Sequence, residues 1–176
     1  MFFISLAVQM AVAEVPPIVG GSETSSYRQV GAIVAIHPQG YGASFCSATL
    51  IHRYWVLTAA HCIEGRDAAL EMADDGYSIY FVTAQNVYSA NYNDLHEVNP
   101  NNMIPHPYYN DGSMEHDIGL LQLMEPLDSL EPMPLNTGRP NNSWDWITYV
   151  GFGITTDGEE DSGIRRTVDV PFYTYD

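Results

Sequence analysis

The sequence predicts an all-β protein, a sandwich or a barrel built from short strands. Its apolar runs are short and rich in β-branched and aromatic residues, and clusters of Pro, Gly, Asn and Asp separate them. No heptad, internal repeat or low-complexity tract interrupts that pattern. Apolar residues make up 45% of the chain and aromatics 12%, enough for a packed core and too much for a disordered segment. A length of 176 residues points to one domain.

Taken in order, residues 2–13 form an apolar run ending in Ala11-Val12-Ala13, the form of a signal-peptide core with a small-x-small cleavage site. Residues 1–13 are therefore expected to be a secretory leader, imperfect in that no positive charge precedes the apolar run. The run is too short to cross a bilayer as a helix. Val30 to Ile36 reads as a strand closed by the turn cluster His37-Pro38-Gln39-Gly40, and Tyr54 to Ala60 as another. Tyr77 to Thr83 alternates aromatic and β-branched residues. Ile118 to Met124 is almost wholly apolar, as a strand buried on both faces should be. Ile147 to Thr155 and Thr167 to Phe172 complete the set. Segments 99–113, 125–142 and 157–163 read as loops, and the Pro-rich stretch from Glu125 to Pro140 as a connection between two sub-domains.

Lysine is absent, and 6 arginines face 22 acidic residues, for a net charge of −16. Nucleic acid and anionic membrane surfaces need a basic face, so both are excluded as partners. The two cysteines, Cys46 and Cys62, are too few for a disulfide-dense scaffold or a four-cysteine zinc site. They leave two buried free thiols or, in an oxidising compartment, one staple, and the leader favours the second.

Chemistry concentrates in Trp55-Val56-Leu57-Thr58-Ala59-Ala60-His61-Cys62. A histidine between small residues and a cysteine can be held rigidly while one ring nitrogen stays reachable, which a general base requires. Its tautomer is then set by an acceptor on the other nitrogen, usually a buried carboxylate. Asp117, at the edge of the apolar run Ile118 to Leu123, is a carboxylate that would be costly there without a partner.

Together these strings resemble the trypsin/chymotrypsin-like serine peptidase family. Ile18-Val19-Gly20-Gly21 is similar to the family's mature N-terminus, and Phe45-Cys46-Ser47-Ala48-Thr49-Leu50-Ile51 to the strand before its catalytic histidine. Thr58-Ala59-Ala60-His61-Cys62 resembles the histidine motif and Asp117-Ile118-Gly119-Leu120-Leu121 the aspartate motif, in the family's order. Val150-Gly151-Phe152-Gly153 is similar to the opening of the second barrel, with Phe where Trp is usual. The resemblance implies a chymotrypsin-like double antiparallel β-barrel, with catalytic His61 and Asp117 and a mature N-terminus at Ile18. It also implies a Cys46–Cys62 bridge that pins the histidine loop. No cofactor and no metal is implied. The expected partners are protein or peptide substrates, and the complete protein is expected to be a monomer, secreted or periplasmic.

Two departures qualify the match. The family's Gly-Asp-Ser-Gly-Gly is absent, and the nearest imitation, Glu160-Asp161-Ser162-Gly163, lies in an acidic loop soon after Gly153, where nothing would build an oxyanion hole. The chain beyond Ile18 also falls short of the roughly 200–250 residues of a complete all-β unit. The expectation is a leader (1–13), a short propeptide (14–17), a complete first barrel (18–128) and a second barrel only begun (129–176), with the nucleophile downstream. Pro17 before Ile18 would resist a trypsin-like activator. The rival reading is a non-catalytic protease homologue acting as a binding or regulatory module, against which the retention of both His61 and Asp117 argues.

Other candidates are weaker. His96, His106 and His116 recur every ten residues without a zinc-ligand spacing. Glu71, Asp74 and Asp75 fall where some relatives bind calcium, but lack a full oxygen set and read as a solvated acidic loop. Asn141-Asn142-Ser143 fits a glycosylation sequon.

Overall fold

The computed structural model describes residues 20–138, 146–156, 158 and 161–171. The segments expected to be a leader (1–13) and a propeptide (14–17), Ile18, Arg139 and the Asn141 sequon lie outside the described residues. Among the described residues the strands and the α-helix follow one another as β1 (Ser22–Glu23), β2 (Val30–Ile36), β3 (Gly42–His52), β4 (Trp55–Thr58), α1 (Ala69–Asp74), β5 (Ser78–Val82), β6 (Leu95–Pro105), β7 (Gly119–Leu123), β8 (Trp146–Gly151) and β9 (Arg166–Pro171).

Six strands close into an antiparallel barrel in the order β2-β3-β4-β7-β6-β5. Alternation decides what faces inward. On β7, Gly119, Leu121 and Leu123 are buried while Leu120 and Gln122 are only partly so. Ile33, Leu50, Val56, Phe81, Val98 and Leu121 meet inside, fully or almost fully removed from water. Each such side chain contributes about 1.5–3 kcal/mol of transfer free energy. The chain is all-β as its strings predict, with the first barrel closed. The second unit is represented by a three-stranded sheet in the order β1-β9-β8. In it β1 leaves its neighbours in sequence and pairs with β9, Ser22 opposite Thr167.

Two expectations fail locally. Segment 99–113 was expected to be a loop, yet β6 runs through to Pro105. The strand survives its polar run by breaking register between Val98 and Met103. In the break, Asn99 and Asn102 donate their side-chain amides to the Gln122 side-chain oxygen of β7. Asparagine thus takes over pairing that the backbone ladder gives up there. The acidic residues 71–75 were expected in a solvated loop, yet Glu71 and Asp74 lie on the one-and-a-half-turn helix α1. Ala69, Leu70, Glu71, Met72 and Ala73 are strong helix formers. Glu71 accepts the free Asp67 N–H at 2.6 Å, and Ala69 is buried against the barrel.

The connection from 125 to 138 is not a free linker. Leu127 N donates to Arg53 O and Met133 N to Leu50 O, both at 2.8 Å, which straps it along the barrel. The second sheet is joined to the barrel through Arg165. Its buried guanidinium donates to the carbonyls of Val30, Ser26, Thr83 and Ala84 and lies over the Phe152 ring. Burial lowers the Arg165 pKa from its ordinary value, with the Arg28 charge adding to the effect.

Candidate active site

β4 ends at Thr58, and the chain turns at once into a short 3-10 turn, Ala60–Cys62, that carries His61. Thr58 anchors the approach by donating Oγ1 to Ser47 O at 2.8 Å on β3. Ala60 is fully buried, so the small residues before His61 let the turn sit flush on the barrel end. From the far side Cys62 is bonded to Cys46 of β3, with Cα atoms 6.1 Å apart across a separation of 16 residues. The histidine is held on both flanks.

Asp117 stands two residues before β7. The residue before it, His116, has a positive φ of 57°, as has Met114 at 56°. That left-handed conformation is uncommon for residues other than glycine. The kink is closed by Ile118 N donating to His116 O at 2.8 Å. It delivers the Asp117 carboxylate to both nitrogens that matter. His61 N donates to Oδ1 at 2.9 Å, and His61 Nδ1 lies 2.8 Å from Oδ2 across 56 positions of sequence.

Burial raises the Asp117 pKa, but the hydrogen bonds from the His61 amide and ring and from the Ala60 amide outweigh it, leaving a net value below the ordinary one. The carboxylate is therefore ionised at neutral pH and can only accept, so Nδ1 carries the proton. Nε2 remains as the basic nitrogen of a ring that is 29% exposed. Gly119, two residues on, has a steric role: a Cβ there would stand 2.5 Å from Ile63 Cδ1 and 3.0 Å from Ile104 O.

Tyr109 lies within electrostatic range of Asp117. Its hydroxyl donates to Asp111 Oδ1 at 3.2 Å. Burial first, then Asp111, Asp117 and Glu64, push its pKa up to about 12.

The other candidates disperse. Cys46, His61 and Cys62 bring one ligand atom each within 4.8 Å of one another, but the two sulfurs are bonded together and offer no thiolate. His106 and His116 stack at 4.9 Å, whereas His96 sits on β6 against Phe81. Ser162 belongs to a different knot. Its neighbour Asp161 accepts Thr155 N at 2.9 Å and Oγ1 at 2.8 Å and pairs with Arg166 at 3.1 Å. Gly163 turns at a φ of +90°, where a Cβ would stand 2.8 Å from both Val87 and Tyr88. Three hydrogen bonds lead from this loop to the histidine turn: Gly163 N to Phe152 O, Phe152 N to Ser47 Oγ, and Thr58 Oγ1 to Ser47 O. Sequence reasoning missed Ser47 as a junction and Arg165 as a clasp. Two adjacent arginines opening an apolar strand, in a chain without lysine, are the signal that could have marked the second.

A family profile described as Trypsin matches residues 18–176. The chain belongs to the trypsin family. Serine protease 28 of Mus musculus is 31% identical over 145 residues, covering 77% of this chain and 49% of that protein. A trypsin of Phaedon cochleariae is 33% identical over 133 residues, covering 72% of this chain and 47% of that protein. Trypsin-1 of Salmo salar is 25% identical, covering 99% of this chain and 66% of its own length. A solved structure described as "Structure of GrC" superposes with a TM-score of 0.69 over 89% of this chain and 66% of its own, at 24% identity, and shows the shared fold. The chain spans about half the length of the Mus musculus and Phaedon cochleariae relatives and about two thirds of the Salmo salar one. Among the described residues no helix is long and apolar enough to cross a membrane.

Proposed function

We propose that this trypsin-family chain carries the acid–base half of a serine endopeptidase. The observation that carries the reading is the 2.8 Å contact between His61 Nδ1 and the ionised Asp117. A serine hydroxyl within reach of Nε2 would lose its proton to His61 as it attacks the scissile carbonyl. Asp117 would hold the tautomer and stabilise the imidazolium, and His61 would then protonate the leaving amine. Water, deprotonated by the same nitrogen, would release the acyl group. None of these steps calls for a cofactor.

Ser162 is not that serine: the described residues of its loop are committed elsewhere, Asp161 to Thr155 and Arg166 and Gly163 to Val87. The nucleophile and its oxyanion donors are supplied by sequence outside these 176 residues. The substrates are proteins or peptides. The complete protein is an exported monomer, with Ile18 as its mature N-terminus and Cys46–Cys62 as its histidine-loop bridge.

A fluorophosphonate probe tests the reading, because it traps only a serine activated by a nearby base. The 176-residue chain should stay unlabelled. A chain extended by its own downstream coding sequence should label on one serine, and lose the label in His61→Ala. Labelling of Ser162 in the short chain would overturn the assignment. An extended chain that folds but never labels would favour the non-catalytic homologue.

A further inference from the structure

Asp117 is aimed by a backbone conformation that sterics disfavour. His116 sits at a φ of 57°, where its Cβ crowds the following carbonyl oxygen. A residue held there persists only where its surroundings fix it. Backbone bonds tie the chain on either side: Asn110 N donates to Glu115 O at 3.1 Å, and Ile118 N to His116 O at 2.8 Å. Neither bond involves the His116 side chain, whose ring is held by a different residue.

That residue is His106. β6 and β7 pair as far as Pro105 and Gly119, and His106 N carries the ladder one step further by donating to Ile118 O at 2.9 Å. His106 therefore stands opposite Ile118 and diagonally across from His116, a spacing that ring side chains can bridge. The two imidazoles stack with centroids 4.9 Å apart and planes 16° from parallel. Tyr108 leans on both, 5.8 Å from His106 and 6.1 Å from His116. His106 is also fixed independently of His116. Its carbonyl accepts Tyr109 N at 2.9 Å, and its Nδ1 accepts Tyr108 N at 3.2 Å, which sets the angle of the ring. Stacking on a ring fixed in advance returns stabilisation of the same order as the left-handed turn costs. The direction set at His116 passes straight to Asp117, whose two oxygens meet the His61 amide and ring.

We propose that His106 is a positioning residue, whose stack on His116 holds the turn that aims the Asp117 carboxylate at His61. The inference rests on the reading of His61 and Asp117 as an acid–base pair, but it needs no serine.

The test is amide hydrogen exchange of the ¹⁵N-labelled 176-residue chain. The probe is the His61 amide, which donates to Asp117 Oδ1, and the reference for the barrel is the Leu123 amide, which donates to Tyr54 O. His106→Asn keeps an acceptor for Tyr108 N but removes the ring. It should speed His61 exchange by about tenfold while Leu123 changes by less than about twofold. His106→Phe keeps a ring and loses the acceptor, and should leave His61 near the wild-type rate. Asparagine tolerates the left-handed conformation, so His116→Asn no longer needs the stack. In that background His106→Asn should change His61 exchange by less than about twofold, the non-additivity that marks a direct contact. An unprotected His61 amide in the wild-type chain would overturn the His61–Asp117 pair and the inference with it. A protected amide that His106→Asn leaves protected would overturn the positioning role alone. So would parallel changes at Leu123, failure of Phe to rescue, or equal effects of His106→Asn in both backgrounds.

Discussion

Replacing Asp117 by alanine should cost the fold measurably, and the cost should depend on pH in a defined direction. Asp117 accepts two hydrogen bonds from one residue, at 2.9 Å from the His61 amide and 2.8 Å from its ring. Bonds to an ionised acceptor contribute about 1.5–3 kcal/mol each, so the gross value is about 3–6 kcal/mol. The carboxylate is 23% exposed and the ring 29%, so water replaces part of this in the variant. A net loss of about 2 kcal/mol is expected, a substantial share of the roughly 5–15 kcal/mol that holds a domain together. At this chain length it corresponds to a fall in Tm of about 4–8 °C. Because the folded pKa of Asp117 lies below its unfolded value, its stabilisation is complete above the ordinary carboxylate range near pH 4. It disappears as the pH falls through the depressed folded value. Urea unfolding, followed by tryptophan fluorescence with the disulfide intact, should therefore separate wild type from Asp117→Ala at pH 7 and bring them together in acid. A difference below about 0.5 kcal/mol at pH 7, or one unchanged in acid, would mean that the carboxylate does not grip His61 in solution.

Reducing the Cys46–Cys62 bridge, which closes a 16-residue separation, should cost about 3 kcal/mol, read as a drop in the urea midpoint with dithiothreitol. Gly119→Ala should cost about 1–3 kcal/mol by driving a methyl into Ile63, and Ile63→Val in the same chain should restore part of the Tm. Arg165→Met strips donors from four backbone carbonyls and should destabilise by about 3 kcal/mol. In that variant amide exchange should rise first at Thr24, Val87 and Gly163, whose bonds join the lead-in of β9 to the rest.

Strand content was readable because burial on a pleated surface writes itself into local composition. Val30 to Ile36 is apolar throughout, and β2 has those bounds. The core of Ile118 to Met124 likewise reappears as β7. Helix α1 was not readable among strand signals, since six residues carry too little periodicity and the tertiary contact of Ala69 with the barrel decides it. Polar β6 was missed because side-chain amides of Asn99 and Asn102, reaching Gln122 on another strand, make up for its broken ladder.

The sequence by itself determined the class of fold and singled out the residues that are candidates for chemistry, because strand patterning and residue type are local properties. It marked His61 as a candidate base and Asp117 as a carboxylate in need of a partner. The pairing of β1 with β9, the left-handed kink at His116 that aims Asp117, and the burial of Arg165 among four carbonyls were decided by tertiary structure alone. Each depends on groups far apart in the chain, Val30 and Arg165 being separated by 135 positions. Their meeting is selected by the closure of the barrel around a common core, and no local pattern encodes that closure.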